Sequence, residues 1–248
     1  MSDTITGNHR ANATRLPASV TVQPREITEA AFRALCAAGA DPAEAQEGAL
    51  AVLRAEADAQ TGLSLFLLLL EGDWAQPHHP ARAESSSWDG GTVRDLCPPE
   101  QPGLRTALQL LDLACDGPAD EISVARTTAP IPRSLWNDLL LRRTAELQRR
   151  IVVATSPPAN GNPDVDAGTN FLTVRNGTAT ATATLPSEAL TTLVSQPADP
   201  RATIVISLPG GSQPDPQDIS VPSKPLKVRE DQWHQMYQLS RKFLVPGA

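Results

Sequence analysis

The side chains that could do chemistry are few and scattered. Asp164 and Asp166 stand in Ser156–Gly168 (SPPANGNPDVDAG), a turn-rich run behind a strand pattern at Arg149–Thr155. Ligands commonly bind in loops after strand ends, and paired carboxylates can share a proton or hold a cation. The same run also suits an ordinary surface turn, which is the commoner use of such a sequence. Cys97, ahead of Pro98-Pro99, is a candidate exposed thiol with no base beside it in the sequence. Asp164, Asp166 and Cys97 are the candidate reacting groups. They would suit a hydrolase-like site between Ser156–Gly168, Pro209–Ser212 and Trp74–Gln101.

The histidines add little. His78 and His79 are adjacent and point in different directions, whereas zinc ligands are spaced by about two to five residues. His9 lies near the start, and His234 stands beside Trp233 on a helical pattern. No G-x-S-x-G elbow accompanies them. Gly210-Gly211-Ser212 follows the strand pattern Ala202–Leu208 and could offer backbone N–H groups to an anion. A phosphate cradle needs a helix start behind it, and here Pro214 and Pro216 follow instead. Neither GxxxxGK[ST] nor G-x-G-x-x-G occurs. No cofactor and no metal is expected.

The bulk properties exclude further classes. A net charge of −7 argues against binding a phosphate backbone. The densest basic pairs, Arg142-Arg143 and Arg149-Arg150, flank a helix end and a strand start and read as a solvated face complementing a helix C-terminus. Three cysteines, Cys36, Cys97 and Cys115, without CxxC, suit a reducing cytoplasm. The start has no signal-peptide pattern, and the apolar run Leu63–Leu70 is too short to span a bilayer. A soluble cytoplasmic protein follows, with no nucleic-acid or membrane partner.

Those residues must be positioned by helices first and strands later. Met1–Thr21 is polar and aperiodic and reads as a disordered tail. Glu26–Ala38 has helical apolar spacing and ends at Gly39. Asp41-Pro42-Ala43-Glu44 then opens a second helix with a cap, a proline and a capping-box acid. Gly62 breaks the pattern, and the Leu-rich run to Leu70 continues as a short buried helix. Trp74–Gln101, rich in Pro and Gly, reads as a long loop or excursion. Gly103–Cys115 and Ile131–Gln148 are amphipathic helices, and Glu121–Arg126 is a strand.

The clearest strand signals lie further on, in RRIVVAT (Arg149–Thr155), TNFLTVR (Thr169–Arg175), TATATAT (Thr178–Thr184) and ATIVISL (Ala202–Leu208). Asn176-Gly177 is a type I′ hairpin turn between the middle two. Pro186–Val194 reads as a short helix, and Pro209–Lys224 as a surface run. Arg229–Phe243 closes the chain as a helix with Trp233, Met236, Tyr237, Ser240 and Phe243 along one stripe. Such a stripe is usually core; Trp233, Met236, Tyr237 and Phe243 are also the candidate partner-binding residues. The fold class is α+β, with a mixed, partly antiparallel sheet, an N-terminal helical layer and a C-terminal docking helix. The division expected is a tail at 1–21, a helical region with an excursion at 22–116, and an α+β domain at 117–248.

The N-terminal helices are similar to the opening of the malate/L-lactate dehydrogenases that lack a Rossmann fold. That family runs from such a helix pair into an Ala-Asp…Gly…Ser-His-Gly segment that supplies the catalytic His. The corresponding run here is Ala57-Asp58-Ala59-Gln60-Thr61-Gly62-Leu63-Ser64-Leu65-Phe66, with Leu65 at the His position and Phe66 at the Gly position. The resemblance implies that the dehydrogenase activity is absent. The overall plan also resembles a bacterial family of unknown function of similar length. The likeness rests on Ile27–Gly62, on the Leu-rich segment after Gly62, and on Trp233…Leu239…Leu244-Val245-Pro246. The function expected is an accessory or partner subunit of a cytosolic bacterial metabolic enzyme, with a protein partner or a homo-oligomer; the alternative is the hydrolase-like enzyme above.

Overall fold

The computed structural model describes residues 18–74, 82–88, 91–97, 100–118, 120–147, 149–155, 170–175, 178–182, 202–210 and 222–244. It begins with strand β1 (Ser19–Val22), in a stretch expected to be tail. Helix α1 (Pro24–Ala38) follows, with Pro24 at its first position and the Glu26 carboxylate accepting from the Gln23 N–H at 2.8 Å. It stops at Gly39, whose φ of 109° suits glycine, and the Gly39 and Ala40 N–H groups donate back to Cys36 O and Leu35 O.

Helix α2 (Pro42–Ala59) has the expected capping box. Asp41 Oδ1 accepts from the Ala43 N–H at 2.8 Å, and the Asp41 N–H donates to Glu44 Oε2 at 3.4 Å. Helix α3 (Gly62–Leu70) starts after a short link. Its first residue touches α2 so closely that an added Cβ would lie 2.1 Å from Val52 O and 2.6 Å from Glu56 Cβ. Glycine is needed there for space, not for its dihedral freedom.

The stretch Trp74–Gln101 corrects the loop expectation. It holds a hairpin of β2 (Arg82–Trp88) and β3 (Gly91–Cys97), with Arg82 opposite Cys97 and Trp88 opposite Gly91. The pattern hid β2 because RAESSSW has no alternation, and its described side chains are mostly exposed. The strand exists because β3 pairs with it, while β3 buries Val93 and Leu96.

Helix α4 (Gly103–Cys115), β4 (Ile122–Thr127) and α5 (Trp136–Leu147) come next, α5 entered through a 3-10 turn at Arg133–Leu135 behind Pro132. Then follow β5 (Arg150–Thr155), β6 (Asn170–Arg175), β7 (Thr178–Thr182), β8 (Thr203–Leu208), β9 (Leu226–Arg229), α6 (Glu230–Arg241) and a last 3-10 turn at Lys242–Leu244. Arg175 lies opposite Thr178, the register a two-residue link demands. Asn176-Gly177 themselves, the expected helix Pro186–Val194 and most of Pro209–Lys224 lie outside the described residues.

The fold is α+β. Seven described strands run in the order β2-β3-β4-β8-β5-β6-β7, with β3–β4 the one parallel pair among them. Strand β8 runs antiparallel between β4 and β5, and it is buried on both faces, with Val205, Ile206 and Leu208 among its buried residues. Val93, Val124, Ile206 and Val152 align across four strands on one face. On the other face Ala125, Val205, Val153 and Leu172 join the main core. Helices α4 and α5 pack on the sheet, and α2 packs on both of them as well as on α1 and α3.

Alanine and glycine make α2's many contacts feasible. Ala45, Ala49, Ala51 and Ala55 are buried, and a Cβ on Gly48 would stand 2.8 Å from Leu104 Cδ2 and 2.9 Å from Leu35 Cδ1. Strands β1 and β9 pair antiparallel, bringing the start of the described chain to its close, and α6 packs against α1 and α3. Ser19–Val22 alternates polar and apolar residues, and that pairing, with Val22 buried, makes it a strand. Gly62→Ala should cost about 3 kcal/mol, the upper end for overpacking, because backbone as well as side chain stands in the way. Urea unfolding of the variant checks this; an unchanged midpoint would refute the close α2–α3 approach.

Candidate functional site

Of the expected reacting groups, only Cys97 lies among the described residues. Cys97 is exposed at the end of β3, opposite Arg82. Asp164 and Asp166 lie outside the described residues, as do His9, His78 and His79. His234 is exposed on α6. Gly210 has a φ of 71°, and no atom lies within 4 Å of where its Cβ would be. Among the described residues no group of three His, Cys, Asp or Glu is placed to hold a metal. Burial pushes the Cys115 thiol up, away from thiolate chemistry.

Two buried charge clusters instead join the layers. In the first, Arg105 of α4 makes a two-pronged contact with Glu44 of α2: Nε donates to Oε1 at 2.7 Å and Nη2 to Oε2 at 2.8 Å. Their side chains are 4% and 10% exposed, so neither charge has much water to fall back on. The Arg105 guanidinium lies 5.5 Å from the ring centroid of Trp74, whose indole donates to Leu69 O at 2.8 Å. The hydrogen bonds it donates to Glu44 raise the Arg105 pKa, outweighing the burial that would lower it.

In the second cluster, Arg142 of α5 contacts Asp138 at 2.7 Å and Glu47 of α2 at 2.6 Å, and Arg54 of α2 stands 3.8 Å from Asp138. Burial pushes the Asp138 carboxyl pKa up despite both arginines. The basic pairs are therefore not the solvated face expected of them. Arg142 belongs to this cluster. Arg149 is buried and donates to the carbonyls of Gly117, Pro118 and Glu121, at 3.3, 2.8 and 2.6 Å. Sequence inspection missed the Glu44–Arg105 and Asp138–Arg142 pairs. A charged residue among buried apolar positions, as Arg105 is between Leu104 and Ala107, signals that a partner is needed without saying which.

In the run compared with the dehydrogenase His motif, the two residues at the His and Gly positions are buried. Leu65 is 1% exposed and Phe66 0%. Glu56, itself buried, accepts from the Leu63 N–H at 3.1 Å and so satisfies the start of α3. Ser64 faces outward and accepts from Gln232 Nε2 of α6 at 3.0 Å. A cavity of about 450 Å³ lies elsewhere, between the first turns of α1 and the middle of α2. Pro24, Leu50 and Leu53 line its apolar side, and the Arg25–Glu29 ion pair, at 2.6 Å, stands on its rim.

The candidate partner-binding residues separate on α6. Met236 is fully buried in the chain's own core, and Trp233 is partly buried against it. Tyr237 and Phe243 are 51% and 44% exposed, and the Trp233 and Tyr237 rings are 6.2 Å apart. The stripe thus has an inner and an outer edge: the inner edge fastens α6 to its own chain.

No protein-family model and no curated protein matches the chain. Solved structures do resemble it in fold. A dehydrogenase from Sinorhizobium meliloti has a TM-score of 0.51 at 10% identity, over 90% of this chain and 100% of that one. A malate dehydrogenase from Pyrococcus horikoshii has a TM-score of 0.46 at 11% identity, over 91% and 90% of the two chains. For a sulfolactate dehydrogenase from Methanocaldococcus jannaschii the values are 0.46 and 10%, over 90% and 92%. At these identities the likeness is one of fold.

Glu44→Gln should destabilise the protein by about 3–5 kcal/mol, since it leaves the Arg105 charge buried without its counter-charge. Replacing both residues by apolar ones of similar volume should cost less than either single change; strict additivity in urea unfolding would sink the pairing argument. The Asp138 carboxyl has a folded pKa above its unfolded value, so the folded state holds the proton more tightly. Its contribution to stability is present below the ordinary aspartate range and is lost as pH rises to the raised value. The stability of the native protein relative to Asp138→Asn should therefore fall as pH rises through the carboxylate range. Denaturant titrations at several pH values measure the difference, and a rise would contradict the dominance of burial.

Proposed function

We propose that this chain is an accessory or partner subunit of a metabolic enzyme, built on a dehydrogenase-like fold and without hydroxy-acid dehydrogenase chemistry of its own. One observation carries the reading. At the position where the dehydrogenase motif places its His, Leu65 is buried, followed by the fully buried Phe66. A dehydrogenase of that kind needs a group that exchanges a proton with the substrate hydroxyl. An alkyl side chain cannot do so, and its burial among other apolar groups leaves no room for a substrate at that point.

Packing supports the same reading. Burying Leu65 and Phe66 stabilises the fold by about 1.5–3 kcal/mol each. These two side chains work as a core plug. The Leu-rich α3 holds α6 through Ser64 and Gln232, and α6 carries the exposed Tyr237.

The purified chain should give no reduction of NAD or NADP with malate, lactate or related 2-hydroxy acids. Affinity capture of the full chain should bring down one enzyme at a fixed ratio. Turnover by the chain alone, at a rate that scales with its concentration, would overturn the proposal. Leu65→His should not create activity, and it should lower stability by about 1–3 kcal/mol, the cost of an unpartnered polar group in an apolar site.

A further inference from the structure

Helix α6 carries a second pattern beside its core-facing stripe. Met236 and Ser240 are buried, and Trp233 and Leu239 are partly buried with them. On the adjacent flank stand Glu230, His234, Tyr237 and Arg241, spaced so that they form one line along the helix. The last three are exposed, and Glu230 is partly so. The line has an acid at its N-terminal end, a base at its C-terminal end, and the most exposed large hydrophobic side chain of the described residues at its centre.

Acid at the start and base at the end complement the helix macrodipole, which gives the two ends a reason within the chain. It gives no reason for Tyr237, whose ring is half exposed beside Trp233. The order of the four residues does. Turned end for end about a two-fold axis midway between His234 and Tyr237, the line is its own complement. Glu230 then faces Arg241 of the second copy, His234 faces its Tyr237, and both contacts occur twice. A two-fold interface requires this kind of self-matching. Neither Glu230 nor Arg241 is in an ion pair among the described residues, whereas Asp231 is held by Arg229 at 2.6 Å.

We propose that two copies of this chain associate through antiparallel packing of their α6 helices. Tyr237 is the apolar centre, and Glu230–Arg241 pairs at both ends set the register. A twelve-residue helix is about 18 Å long, so this contact alone falls short of a standard stable interface. The association is correspondingly weak, concentration-dependent and weakened by salt. It goes beyond the accessory-subunit reading and requires that any enzyme partner leave this flank of α6 free.

Sedimentation velocity of the full chain over a range of concentrations tests it. A monomer–dimer equilibrium is expected, with dissociation favoured by salt. Arg241→Glu sets like charges against each other at both ends and should weaken the dimer by about tenfold or more. The double charge exchange Glu230→Arg with Arg241→Glu should restore it to within about threefold of the native value, an outcome that a general surface effect would not produce. Tyr237→Ala should weaken it without lowering the unfolding midpoint. A monomer at every concentration, or no rescue by the double exchange, overturns the self-pairing. So does an enzyme partner that occupies α6 in place of the second copy. None of these results touches the assay for turnover, which alone decides the absence of dehydrogenase chemistry.

Discussion

Two opposite charges taken out of water together set the arrangement of this protein. Glu44 and Arg105 stand sixty-one residues apart, on α2 and α4, and meet through two short hydrogen bonds in a nearly dry interface. Desolvating either alone would cost several kcal/mol, so each is tolerable only where the other is. That condition acts on the position of whole helices. Glu44 also accepts from the Asp41 N–H in the capping box, so the start of α2 and its seat on α4 are decided by one carboxylate. Trp74 stacks on Arg105 and donates to Leu69 O, which adds the end of α3 to the same joint.

The rest of the helical layer adapts to that joint. Helix α2 reaches α1, α3, α4 and α5 because alanines and Gly48 let its backbone come close on several sides. Asp138, Arg142, Glu47 and Arg54 form a second joint, between α2 and α5, whose charges balance. The described main core runs from Val22 through the sheet to Met236, so helices from the first part of the chain and strands from the second share one apolar interior.

This packing also bears on function. In the run compared with the dehydrogenase motif, α3 turns Leu65 and Phe66 into the core. Helix α6 has an inner edge that fastens it to α1 and α3 and a flank that stays open. A helix that must bury one face and presents charged ends and an aromatic on another is suited to association.

By itself the sequence determined what is local. Asp41-Pro42-Ala43-Glu44 specified a helix start, Gly39 a helix stop, and Gly103–Cys115 a helix, because caps, glycine dihedrals and apolar spacing act within a few residues. The α+β class and the strands β4 to β8 were legible for the same reason. Tertiary structure alone decided the serine-rich β2, which is a strand only because β3 lies beside it, and β1, ordered by a β9 two hundred residues away. It also decided the partner of Arg105, the burial of Arg149 and the place of β8 between β4 and β5. Those depend on contacts between distant residues, whose energies come from burial and pairing in three dimensions and leave no periodic trace in one.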